Sequence, residues 1–154
     1  MLKKLFKKKQ MKNQKGLTLI ELLAVIVILA IISAIAIPAI GNIIDNTRYN
    51  AAKADAINVL NAANMYFTDK PDETSVTVED LLNKKYLESA GIIPVNKYSY
   101  VEKIDNQPKL KTGVFTYAYS YEKLLLFDYA TISDINNDKQ KGSDDTSKQI
   151  PKKK

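Results

Sequence analysis

Apolar residues fall along this chain in two rhythms. No charge interrupts the run from Leu22 to Ile44. Leu17 to Ile40 is apolar on every side of a helix and has no stripe, which suits a helix enclosed by lipid or by other apolar helices. Roughly 20 residues at about 1.5 Å each cross about 30 Å of hydrocarbon, so this stretch has the length of a membrane span. From Asn42 the rhythm changes. Tyr49, Ala52, Ala56, Leu60, Ala63 and Phe67 recur at spacings of 3, 4, 4, 3 and 4, one face of an amphipathic helix over residues 42–68. Arg48, Lys53, Asp55, Asn58 and Asn61 fall opposite. Pro71 disfavours helix at the residue before it and ends the element. Pro38 lacks a backbone donor and Gly41 adds freedom, so a kink or a loosened helix is expected over 35–41.

A half-apolar helix needs a partner to cover its stripe. Thr77-Val78-Glu79-Asp80 reads as a capping box, with Asp80 in the place of Glu, and opens a short helix through Tyr86 or Leu87. Three strand-like runs follow. Tyr98 and Tyr100 alternate with Ser99 and Val101, Asn106-Gln107-Pro108 makes a turn, and Phe115, Tyr117, Tyr119 and Tyr121 share one face of Val114–Tyr121. Lys123–Thr131 supplies the third run. The expected fold is α+β: a long N-terminal helix packed on a small antiparallel sheet, with the globular part over residues 41–132. After Ile132 the chain turns polar, and residues 133–154 are expected to be a disordered tail.

Charge changes the picture less than its total suggests. The formal charge is +6, but Lys3, Lys4, Lys7, Lys8, Lys9, Lys12 and Lys15 all precede Gly16. Removing these seven from 23 basic residues leaves 16 against 17 acidic ones. A nucleic-acid role argued from overall basicity therefore loses its basis. Lysines beside a hydrophobic segment hold that end in the cytoplasm. The chain contains no cysteine and no histidine, which excludes disulfides, thiolate nucleophiles and zinc sites built on those ligands. Catalysis would need a Ser–Lys pair or a carboxylate dyad. Ser and Asp concentrate in the tail, where nothing fixes their geometry, and the expectation is a protein that is not an enzyme and carries no cofactor. Asp134-Ile135-Asn136-Asn137-Asp138 has the acidic alternation of a calcium loop without its glycine or terminal glutamate. The tyrosines read first as cross-strand packing. A stacking surface for single-stranded DNA or sugar is the second reading, with few Arg or Lys beside it.

One residue does not fit a plain anchor. Glu21 stands five residues into the apolar segment, where a charged side chain costs about 2.5–3.5 kcal/mol at a helix centre and less near an end. A secretory signal peptide does not fit either, because its apolar run is about 7–15 residues and a small-residue cleavage site follows. Lys15-Gly16-Leu17-Thr18-Leu19-Ile20-Glu21 resembles the processing site of type IV prepilins and the related pseudopilins. The resemblance covers residues 12–45 and is only architectural beyond them. It implies a leader, residues 1–16, removed after Gly16 by a membrane aspartyl prepilin peptidase. It implies N-methylation of Leu17, which stands where Phe is commoner. It also makes Glu21 the fifth residue of the mature chain, close to the terminal amine of a neighbouring subunit. Met11 used as initiator would still leave Lys12 and Lys15 in the leader.

The implied protein is a structural subunit. It waits in the cytoplasmic membrane with its N-terminus inside, then polymerises through residues 17–40 into a homo-oligomeric filament at the cell surface. The implied partners are the prepilin peptidase, an assembly platform with a separate ATPase, minor pilins, and membrane lipid before assembly. The host expected is Gram-positive-like. The extent of chain beyond Phe67 favours a pilus over the alternative, a pseudopilin of a competence DNA-uptake or type II secretion-like apparatus. The rival of another class is a single-pass anchored surface binding protein that never polymerises.

Overall fold

The computed structural model describes residues 2–118, 123–144 and 147–152, with side chains from Thr18 onward. Helix α1 runs from Leu2 to Asp69. The chain divides into two compact units, Met1–Gly41 and Asn42–Lys154.

The first unit is helix alone. Helical structure continues through Pro38. Proline removes one bond, the one its own nitrogen would give to the carbonyl four residues earlier. The flanking aliphatic residues keep the ladder going. Gly41 has open space where a Cβ would stand, so close packing does not account for this glycine.

The second unit is α+β. Its inward helix face is the one the spacing defines: Tyr49, Ala52, Ala56, Leu60, Ala63 and Phe67 are all buried. They meet Val101, Leu110, Leu125, Phe127 and Ile150 in one core. The sheet consists of β1 (Ser75–Thr77), β2 (Tyr100–Ile104), β3 (Gln107–Lys111), β4 (Phe115–Thr116), β5 (Leu124–Ala130) and β6 (Lys148–Ile150). Hydrogen-bonded neighbours run β1-β2-β3-β5, and β4 and β6 also pair with β5. All pairs are antiparallel except β5 with β6. Thr112 N–H donates to the Phe127 carbonyl at 2.9 Å. That bond lies between the Lys111–Asp128 and Phe115–Leu125 pairs, so β3 and β4 are two lengths of one irregular strand along β5.

Local chemistry explains the turns. Asp105 and Asn106 both take positive φ, 54° and 61°, as the two-residue loop between β2 and β3 requires; Asp and Asn tolerate that region. The turn is thus one residue earlier than Asn106-Gln107-Pro108, and Pro108 pairs inside β3. In β5, Leu125 and Phe127 point inward, and then the register shifts. Tyr129, at φ 57°, is the extra residue of a bulge. It resets the alternation so that Ala130 is buried instead.

Two short helices complete the unit. Helix α2 spans Val78–Asn83 with Thr77 as cap, and its hydroxyl accepts from the Asp80 N–H at 3.0 Å. Asp80 Oδ2 accepts from the Thr77 hydroxyl, not from its backbone, so only half of the expected box forms. Lys85, at φ 62°, stops the helix before Tyr86. Helix α3 spans Ile132–Asn137 and has the complete reciprocal box, Thr131 with Asp134.

The tail expectation is corrected here. Residues 132–137 are helical and 148–150 form β6. Ile135 and Ile150 are both fully buried. Two well-placed isoleucines, a cap and a free edge of β5 suffice to fold a segment whose average composition is polar. In the run Val114–Tyr121 the described residues, 114–118, are strand at Phe115–Thr116; Tyr119 and Tyr121 lie outside the described residues.

Candidate assembly site

The apolar half of α1 leaves its large side chains uncovered in the single chain. From Leu19 to Ile44 every large aliphatic side chain is exposed, Leu19 at 70% and Ile32 at 56%. From Thr18 onward the helix is long and apolar enough to cross a membrane. Glu21 is the one charged residue between Thr18 and Ile44 and is itself exposed. Among the described residues it has no hydrogen-bond or ion-pair partner. Helical geometry puts Leu17 and Glu21 one turn apart on the same side, about 6 Å along the axis. Gly16 precedes Leu17 directly, while Pro38 and Gly41 stand farther along α1. The backbone thus brings Gly16, Leu17 and Glu21 together and leaves Pro38 and Gly41 apart from them.

The globular unit treats its charges in the opposite way. Lys123 Nζ lies 2.7 Å from Asp45 Oδ2, with side-chain exposures of 9% and 23%. The same ammonium donates to the Ser143 carbonyl at 2.9 Å. The Tyr117 hydroxyl donates to the Gly142 carbonyl at 2.8 Å, and Ser143 N–H donates to Asn46 Oδ1 at 3.0 Å. A Cβ on Gly142 would come within 2.3 Å of the Asp45 carbonyl and 2.6 Å of Tyr49 Cβ, so only glycine fits this approach. Lys53 lies 3.3 Å from Asp138 Oδ2, which also accepts from the Tyr49 hydroxyl at 2.7 Å. Burial first, and then that bond to Asp138, push the Tyr49 hydroxyl far above the usual tyrosine range. Residues 138–144 thereby form a clasp on the helix at Asp45–Lys53. Sequence reading missed it; the signals were Thr131 with Asp134 three residues on, and Gly142 alone in a polar run.

Of the seven described tyrosines, only Tyr98 is exposed. Tyr49 packs on Tyr117 with centroids 5.2 Å apart, and Tyr66 meets Tyr86 edge-on at 5.3 Å. These four are packing groups. Asp134 serves the α3 cap and Asp138 the clasp, so the acidic alternation there has a structural use.

Residues 11–37 match the family described as Prokaryotic N-terminal methylation motif. No curated protein and no solved structure matches the chain. The N-terminal segment carries a type IV pilin-like prepilin signature. The motif supports a precursor of the pilin or pseudopilin type.

Proposed function

We propose that the chain is the structural subunit of an extracellular type IV pilus-like filament. The observation that carries this reading is the exposed apolar helix from Leu19 to Ile44 with Glu21, unpartnered, near its start. In lipid, that helix anchors the precursor with its lysine-rich end in the cytoplasm. Cleavage after Gly16 and methylation of Leu17 leave a cationic terminal amine. In the assembled state the amine of one copy lies beside Glu21 of the next. A paired charge in low dielectric is far less costly than an isolated one, so the pair favours the filament over the lone subunit. The same pair sets the axial register between copies, as buried polar groups do in coiled coils.

The test is a block at the cleavage site. Gly16→Leu places a bulky side chain where the protease must approach the backbone. The expected result is full-length chain in the membrane and no surface filament, with filaments present in the wild type. Filaments of normal number from uncleaved chain would overturn the reading and favour assembly by another route. An anchored, never-polymerising protein would give no filaments even in the wild type.

A further inference from the structure

Where α1 leaves its apolar run, the globular unit gathers positive charge that its own fold does not use. The uncharged stretch Leu22–Ile44 is about 35 Å long at about 1.5 Å per residue, a little more than the roughly 30 Å of hydrocarbon in a bilayer. Its last residues, the exposed Ile43 and Ile44, therefore fall at head-group depth, and Asp45 follows them directly. The clasp closes on this same turn. A Cβ on Gly142 would meet the Asp45 carbonyl, and Ser143 N–H donates to Asn46 Oδ1 at 3.0 Å. Lys141, the residue before Gly142, is exposed. Lys139 is exposed one residue past Asp138, whose carbonyl accepts from Lys53 at 3.0 Å. Asp45 to Lys53 is about 12 Å along the helix, close to the Debye length of about 8 Å over which a charged lipid surface acts. The lysines that hold the clasp are different ones: Lys123 pairs with Asp45, and Lys53 with Asp138. Lys139, Lys141 and the exposed Lys152, which lines one groove with Lys139, have no ion-pair partner among the described residues. Arg48 adds a half-buried cation close to Asp45. The opposing carboxylates that no lysine pairs with among the described residues are Asp134, held in the cap of α3, and Asp144.

We propose that this end of the globular unit is a docking surface for the outer leaflet of the membrane, with Lys139 and Lys141 against the phosphates of anionic lipids. The proposal rests on α1 anchoring the precursor in the bilayer and is independent of filament assembly. Charge complementarity selects an anionic occupant. Position selects lipid: the helix enters the bilayer at the turn the clasp grips, so head groups are held beside these lysines at high effective concentration, whereas a soluble polyanion must be captured from solution. Lysine suits the contact, because its compact charge rides on a flexible apolar stem that lies along a greasy boundary while the ammonium stays wet. The contact holds the domain down on the bilayer while the subunit waits, and it breaks when α1 is drawn out.

The experiment places the full chain in nanodiscs of neutral phosphatidylcholine and in discs containing anionic phosphatidylglycerol. Acetylation of each lysine by a neutral succinimidyl ester is followed by peptide mass mapping. Lys139 and Lys141 are expected to react at least about threefold more slowly in the anionic discs at low salt, with the difference lost at high salt. Lys85 is the control. It is exposed beside Tyr86, which packs on Tyr66, about 25 Å along α1 from Tyr49, and it is expected to react equally in both discs. Equal rates at Lys139 and Lys141 in the two discs overturn the proposal, as does equal slowing at Lys85. Glycerol 1-phosphate added to the neutral discs is expected to change neither rate; slowing by it assigns the lysines to a soluble phosphate and overturns the lipid docking. The double variant Lys139→Gln/Lys141→Gln changes exposed positions only and is expected to keep the melting temperature of the solubilised chain. Amide exchange of residues 140–144 is expected to be slower in anionic than in neutral discs for the wild type and equal for the variant. A variant that keeps the difference overturns the proposal. A chain that enters neither disc overturns the membrane-anchored reading instead.

Discussion

Helix α1 has two halves of opposite character. Between Thr18 and Gly41 it exposes leucine, isoleucine and valine at about half or more of their surface and carries one carboxylate without a partner among the described residues. From Asn42 to Asp69 it buries an apolar stripe and turns its charged groups to partners. In that second unit no buried side-chain polar atom lacks a partner among the described residues. The first half is therefore energetically incomplete and the second is not. Incompleteness in water is what a segment needs if lipid, and then other copies, are to surround it. Satisfaction is what a domain without disulfides needs if packing alone is to hold it.

Substitutions separate the two halves sharply. The largest effect is expected for Glu21→Ala. Leader removal and domain stability stay at wild-type level, while surface filaments seen by electron microscopy fall to background. In the second half, Leu60→Ala empties a fully buried site and is expected to cost about 2–5 kcal/mol, read as a lowered denaturant midpoint of the detergent-solubilised chain. Membrane insertion is expected to be unchanged. Gly142→Ala drives a Cβ into the Asp45 carbonyl and Tyr49 and is expected to cost about 1–3 kcal/mol. Circular dichroism melts would register it, together with faster proteolysis after Asp138. Lys123→Gln removes the countercharge of Asp45, and because Asp45 keeps some solvent the cost is set at roughly 1–2 kcal/mol, below that of a fully buried pair.

The smallest effect is a pH dependence confined to the domain. Tyr100 is pushed up to about 12, first by its hydrogen bond to Tyr129 and then by burial. Its unfolded value is near 10. Below about pH 10 both states keep the proton and this stabilisation is complete. Between about 10 and 12 the unfolded chain loses its proton first, so stability falls as pH rises. Tyr49 acts in the same direction. Tyr100→Phe is expected to flatten the alkaline decline measured by urea unfolding, and to lower stability slightly at pH 7 through the lost bond to Tyr129.

How much of this was legible depends on the signal each element carries. The helix faces were readable because six positions keep a 3.6-residue period, and the stop at Pro71 is a backbone effect of proline. The N-terminal motif was readable because its residues are contiguous. The tail was not, because Ile135 and Ile150 bury themselves singly among lysines and aspartates, and Lys148 is buried against aromatic rings. Composition averages such residues away. Strand β3, Gln-Pro-Lys-Leu-Lys, buries Leu110 alone, too little for a period of two. Apolar alternation in Val114–Tyr121 did not mark where β4 ends, after Thr116.

The intact mass of the chain sheared from the cell surface bears most directly on whether α1 begins, in its working form, beside Glu21. The account predicts a polypeptide that starts at Leu17 and carries one added methyl group. A surface chain that still begins at Met1 or Met11 would contradict it.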